Sequence, residues 1–197
     1  MTVENFKELL TEWKEHSWVC NLDFVCDDSV IEESIVLFES DYRRWYPNHS
    51  YICVDNLRKT PQLIAMLLYR ISRLLYIRGL DGGGYSLLAR HIGQIELFYS
   101  ADIGLGFKIN HGVGSVIGAR CKIGNNCTIH QNCTIGDRHG GRPIIGNNVI
   151  IYAGAMILGN IIIGDNSIIG ANSVVTQSCP PYSVLVGSPA KIVDRNE

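Results

Sequence analysis

Strong charge of either sign is missing from this chain. Its 17 Lys and Arg stand against 19 Asp and Glu, a formal net charge of -2 with the histidines neutral. No basic face is implied, so nucleic acid is not an expected partner. Also missing at the N-terminus is a basic stretch followed by an apolar one. "MTVENFKELLTEWKEHSW" carries acidic residues there and is expected to be mature protein. Long apolar runs are lacking too: "QLIAMLLYRISRLLYI" is interrupted by Arg70 and Arg73 and is too short to span a bilayer comfortably. These absences make the cytoplasm the expected location. Seven cysteines, an odd number without a secretory leader, favour reduced thiols over a disulfide framework.

Two regimes divide the rest. Residues 1–95 read as a helical N-terminal domain. In "TPQLIAMLLYRISRLLYIRG", Leu63, Leu67, Ile71, Leu74 and Leu75 recur at three- and four-residue steps along one helical stripe, with Pro61 suited to the first turn and Gly79 to the stop. Residues 3–16 and 29–45 are further helix candidates. "DGGG" at 81–84 reads as a flexible break between helices, since no strand pattern precedes it to make a phosphate loop.

Residues 96–197 follow a different rule. Aliphatic residues fall at Ile103, Ile109, Ile117, Ile123, Ile129, Ile135, Ile145, Ile151, Ile157, Ile163, Ile169 and Val175, always six apart except from 109 to 117 and from 135 to 145. Neither helical periodicity nor simple alternation generates that spacing with Gly, Asn and Asp held in place. A short strand followed by a corner, repeated and stacked, does. Four residues beyond the aliphatic positions stand small ones: Cys121, Cys127, Cys133, Ala155, Ser167, Ser173 and Cys179. The cysteines share their slot with alanine and serine, so they are expected to fill a narrow interior position, and no metal is expected.

The hexads resemble the left-handed parallel β-helix of hexapeptide-repeat acyltransferases, in which three hexads make one triangular turn. Twelve hexads then make about four turns, a mainly β domain preceded by the helical segment. Parallel crossovers are ordinarily right-handed, so the left hand rests on the resemblance alone. More narrowly, the helix "LLYRISRLLY", the segment "INHGVGSVIG", the loop "GDRHGGRPIIG", the coil "AGAMILGNIIIG" and the ending "PPYSVLVGSPAKIV" resemble serine acetyltransferases and the related sugar O-acetyltransferases of capsule and lipopolysaccharide pathways.

That resemblance implies direct transfer of acetyl from acetyl-CoA to a hydroxyl, without an acyl-enzyme. His111 matches the family's catalytic base, a role that suits a group titrating near neutrality. Glu96 stands where the family carries an orienting aspartate. His139 and Arg138 match its second active-site histidine and the arginine beside it. Ala153, Gly154 and Ala171 are expected to let the pantetheine arm approach the backbone, and Lys191 in "GSPAK" to meet a CoA phosphate.

Hexad counting separates His111 from His139 by one prism edge, on the order of 15–20 Å at strand rise. A site built between subunits resolves this, and the family is usually trimeric, so a homotrimer or a pair of trimers is expected.

The acceptor is where the match thins. Asn110 replaces the aspartate with which serine acetyltransferases meet the substrate's ammonium, and His130, one turn further on, stacks beside it. That pair suits a polyhydroxylated acceptor, whereas Arg138 suits a carboxylate; serine and a sugar both stay open. A zinc carbonic anhydrase-like trimer using His111, His130 and His139 is a remoter reading, lacking that family's close pair of histidines. A non-catalytic scaffold is the remaining one.

Overall fold

The computed structural model describes residues 1–15, 24 and 26–193. Among the described residues five helices come first: α1 (Val3–Glu15), α2 (Asp28–Arg43), α3 (Val54–Lys59), α4 (Pro61–Ile77) and α5 (Gly83–Gly93). In α1, Phe6, Leu9 and Trp13 share the buried stripe. At the start of α2 the Asp27 carboxylate accepts the Ser29 N–H at 3.0 Å. Pro61 occupies the first turn of α4, where its missing N–H costs nothing. Between α4 and α5 the glycine run is a tight turn rather than a loose break. A Cβ on Gly82 would lie 2.5 Å from the Ser72 carbonyl, and the Gly83 N–H donates to the Asp81 carboxylate.

A parallel solenoid of about four turns follows, with three faces. Face one stacks Glu96–Leu97, Val116–Ile117, Thr134–Gly136, Met156–Leu158 and Val174–Val175. Face two stacks Asp102–Ile103, Lys122–Ile123, Ile144–Ile145 and Ile162–Ile163. Face three stacks Lys108–Ile109, Thr128–Ile129, Ile150–Ile151, Ile168–Ile169 and Val184–Gly187, with Ala190–Val193 added antiparallel at its end. The six-residue aliphatics all point inward and are buried; Leu97 before them and Leu185 after them extend the same columns.

The small slot lies inside the prism too. Cys121, Cys127 and Cys133 are fully buried, and the thiols of Cys127 and Cys133 donate to the Gly146 and Tyr152 carbonyls at 3.1 Å. Burial pushes the Cys127 thiol up to about 11. Phe107, Val149 and Ile161 fill the same slot at other rungs, so the slot takes larger apolar side chains as well as small ones.

Corners explain the asparagines. Asn126, Asn148 and Asn166 on one edge, and Asn132 and Asn172 on another, hold φ between +56° and +60°. Asparagine enters this left-handed region at lower cost than other residues with a side chain. Side chains also carry the turn from rung to rung: Asn125 Oδ1 accepts the Leu105 N–H, Asn147 Oδ1 that of Asn125, and Asp165 Oδ1 that of Asn147.

The first turn has no preceding turn to pair with, and helix side chains take that place. Arg70, buried in α4, donates to the carbonyls of Ile103 and Gly104 and to both oxygens of Asp41. Asp41 in turn accepts the Phe107 N–H at 2.7 Å. The Tyr69 hydroxyl donates to the Ala101 carbonyl and accepts the Ile103 N–H, Ser40 accepts the Gly106 N–H, and Arg44 donates to the Gly106 carbonyl. Arg70, the charge that breaks the apolar helix pattern, is therefore a joint between helices and coil.

Candidate active site

His111 stands at the corner between faces three and one, where the eight-residue interval inserts two extra residues. Its φ is +65°, and Gly112 follows at +52°. The corner is held from both sides: Gln62 of α4 donates to the His111 carbonyl at 3.3 Å, and the Gly114 N–H donates to the Gln94 carbonyl at 2.9 Å. The imidazole is exposed on this fixed backbone.

Next to it runs an outward column. The register that pairs Lys108–Ile109 with Thr128–Ile129, and those with Ile150–Ile151, sets Asn110, His130 and Tyr152 on successive rungs. The rings of His130 and Tyr152 stack with centroids 5.0 Å apart and 29° between planes. Burial lowers the His130 pKa below its ordinary value, and the His111 charge lowers it further. Ser115 fixes this rung, donating to the His130 carbonyl at 2.7 Å and accepting the Cys133 N–H at 3.0 Å.

Glu96 opens face one, pairs with Val116, and lines a cavity of about 550 Å³ against α5. Its Oε2 lies 3.4 Å from Arg90 Nη1. Among the described residues no hydrogen bond joins Glu96 to the His111 ring.

Ala153, Gly154 and Ala171 lie on the same edge as His111. The Gly154 N–H donates to the Gln131 carbonyl and the Asn172 N–H to that of Ala153, so 131, 153 and 171 form one column. Gly154 holds φ +74°, and a Cβ there would fall 2.1 Å from Asn172 Oδ1. In the same column the Gln131 Oε1 is buried without a hydrogen-bond partner among the described residues, an acceptor awaiting an N–H donor. Lys191 is exposed at the far end of face three, opposite Val186.

His139 and Arg138 are elsewhere. The ten-residue interval folds back as a two-residue hairpin: Arg138 and Gly141 exchange backbone hydrogen bonds, with His139 (φ +54°) and Gly140 (φ +81°) at the tip. An Asp137–Arg142 ion pair and a bond from Arg142 to the Ala119 carbonyl anchor it. His111 precedes Val116–Ile117 and His139 follows Thr134–Gly136. Those strands are parallel neighbours, so the two histidines occupy opposite edges of face one. One chain thus unites His111, Asn110, His130 and the small-residue column, and leaves His139 and Arg138 apart. Among the described residues no three His, Cys, Asp or Glu side chains gather to hold a metal ion.

Tyr152, Gln131, Ser115, Gln62 and Arg90 belong to this neighbourhood without having been singled out from sequence. For Tyr152 and Gln131 the signal was available in the hexad count, because the ten-residue interval displaces Tyr152 by four beyond three regular hexads from His130.

Comparison with known proteins gives the arrangement a context. Residues 142–177 match the family model "Bacterial transferase hexapeptide (six repeats)". A serine acetyltransferase of Synechocystis sp. is 38% identical over 95 residues, which is 46% of this chain and 35% of that protein's length. The crystal structure of serine acetyltransferase from Neisseria gonorrhoeae superposes with a TM-score of 0.73 at 31% identity, covering 86% of this chain and 68% of that one. A serine acetyltransferase in complex with CoA gives a TM-score of 0.73 at 29% identity, covering 84% and 75%. The solenoid is the left-handed parallel β-helix of these structures.

Proposed function

The chain belongs to the serine acetyltransferase family of hexapeptide-repeat proteins, and on that premise we propose that it transfers acetyl from acetyl-CoA to a hydroxyl of a small, serine-like acceptor. The observation that carries the reading is the sharing of one prism edge by the exposed His111 imidazole and the column of Gln131, Ala153 and Ala171. The residues present suit the thioester substrate. Small side chains admit a narrow chain, the unpartnered Gln131 Oε1 would accept an amide N–H of the pantetheine arm, and Lys191 would meet a phosphate.

The acceptor hydroxyl gives its proton to His111 as its oxygen attacks the thioester carbonyl. The C–S bond then breaks, and the departing sulfur takes the proton back from the imidazolium. Glu96, with Oε2 facing Arg90, would orient the imidazole and balance its charge through Oε1. Asn110 and His130 would contact the acceptor.

Because His139 and Arg138 sit on another edge, they would complete the site of a neighbouring subunit in a trimer or a pair of trimers. We assign residues 1–95 and 96–197 to two domains and the chain to the cytoplasm; no helix among the described residues is long and apolar enough to cross a membrane. A second reading, a sugar hydroxyl as acceptor, is favoured by the neutral Asn110 beside the stacked His130 and Tyr152. Acceptor-dependent release of free thiol from acetyl-CoA tests the transferase. If CoA binds and no hydroxyl compound elicits release, the proposal fails.

A further inference from the structure

Backbone bonds from Asn110 to Ile129, from His130 to Ile151 and from Tyr152 to Ile169 set these three outward residues on consecutive rungs, one strand spacing of about 4.8 Å apart. Tyr152 covers one face of the His130 ring, with centroids 5.0 Å apart. The Asn110 rung lies on the other side, so a ligand meets this imidazole by its edge, where the nitrogens are. Among the described residues no hydrogen bond occupies the Asn110 amide or the His130 ring nitrogens. The charges nearby are engaged elsewhere. On face three the Lys108 ammonium lies over the Trp45 ring at 5.2 Å, and Arg44 donates to the Gly106 carbonyl and the Thr128 hydroxyl. Past the corner, Glu96 faces Arg90 at 3.4 Å. Among the described residues only the charge of His111 acts on His130; burial first and that charge second disfavour the imidazolium, so the ring is neutral near pH 7.

Resting on the transferase reading, we infer that Asn110 Oδ1 and a ring nitrogen of His130 together receive the ammonium of the serine-like acceptor, and that Tyr152 is the positioning residue that holds His130 to this task. A neutral imidazole keeps one nitrogen as an acceptor, and the amide oxygen is another. Each accepts an N–H of the ammonium in a charge-assisted hydrogen bond, the stronger kind. Two neutral acceptors thus do together what a single carboxylate would do alone. Protonation of His130 removes its acceptor and sets a positive charge against the ammonium, so one proton decides whether the acceptor is held. Asn110 directly precedes His111, and an ammonium held at Asn110 leaves the hydroxyl on the neighbouring carbon beside the edge that carries the base.

The test measures thiol release from acetyl-CoA with serine as acceptor. At neutral pH, His130→Leu and Tyr152→Ala should each raise the KM for serine about tenfold, the loss of one hydrogen bond to a charged group, with kcat and the Kd for CoA little changed. Tyr152→Phe keeps the ring and should keep the original KM. In the unmodified protein the KM should rise as pH falls through the His130 pKa, measured by NMR titration, and this rise should vanish in His130→Leu. Tyr152→Ala uncovers the ring, so the His130 pKa and the pH at which KM rises should move up together, which a merely structural tyrosine would not cause. A serine KM indifferent to His130→Leu, or transfer only to hydroxyl compounds without an ammonium, would overturn this inference and leave the transferase standing. A serine KM indifferent to Tyr152→Ala would overturn the positioning role. Thiol release with no hydroxyl compound, while CoA still binds, would overturn the transferase reading and this inference with it.

Discussion

Arg70 and Asp41 meet at the junction of helices and coil as a two-pronged pair, Nε to Oδ2 at 2.9 Å and Nη2 to Oδ1 at 3.0 Å, with side-chain exposures of 5% and 0%. Both partners also bond to the first turn of the solenoid. Burial pushes the Asp41 carboxyl up, against the pull of Arg70 and the amide N–H groups.

Arg70→Met should therefore cost about 3–5 kcal/mol of stability, because it strands a buried carboxylate and two carbonyls. Urea unfolding followed by circular dichroism reads this as a lowered midpoint. A loss below about 1 kcal/mol would mean that the junction is held by apolar packing alone.

His111→Ala should lower thiol release roughly a hundredfold to ten-thousandfold while CoA binding persists. Mixing His111→Ala chains with His139→Ala chains, after exchange of subunits, should restore part of the activity, since some interfaces then contain one intact copy of each histidine. Verified exchange without recovery would rule out the shared site.

His130 should titrate below the ordinary histidine value of 6.5. The sign follows from its causes: burial first and the His111 charge second both disfavour the imidazolium, so the fold prefers the neutral ring. Its contribution to stability is present above pH 6.5 and is lost as pH falls through the window between the unfolded and folded pKa values. NMR titration of the ring protons measures this, and in the His111→Ala variant the His130 value should rise.

Ala171 is exposed, so Ala171→Trp should leave the melting temperature nearly unchanged and yet weaken CoA at least tenfold by obstructing the edge. In the unmodified protein, CoA at about 100 times its Kd should stabilise by roughly 2.7 kcal/mol. Equal CoA affinity in the two proteins would move the thioester path to another edge.

Native thiol labelling resolved by peptide mass spectrometry should modify Cys26 and Cys53, which are partly accessible, before Cys121, Cys127, Cys133 and Cys179, which are buried. Rapid labelling of Cys127 would contradict a thiol held near 11 inside the prism.

The solenoid was legible because its rule is one-dimensional. An aliphatic every six residues and a small residue four later give the rungs, and the two broken intervals mark the corner of His111 and the loop of His139. The five helices of the described N-terminal residues were legible less evenly: α4 shows a clear stripe, whereas α5 follows a glycine run whose tight packing on Ser72 is a tertiary fact. What sequence spacing does not encode is side-chain direction. Glu96 is placed on its rung by counting, but its turn towards Arg90 depends on where α5 lands on face one. Likewise Arg70 reads as an interruption of an apolar segment until Asp41, 29 positions earlier, is brought beside it.

A repetitive rod has an indexing problem, since an isoleucine rung says nothing about whether it is second or third in line. Within the solenoid, the hydrogen bonds of the Tyr69, Arg70 and Asp41 side chains fall on the backbone of residues 101–107, which marks a single origin for the stack. A slip by one rung would desert every one of those bonds. The height of His111 above its neighbours, and hence its meeting with anything bound alongside, is inherited from three side chains that never approach it.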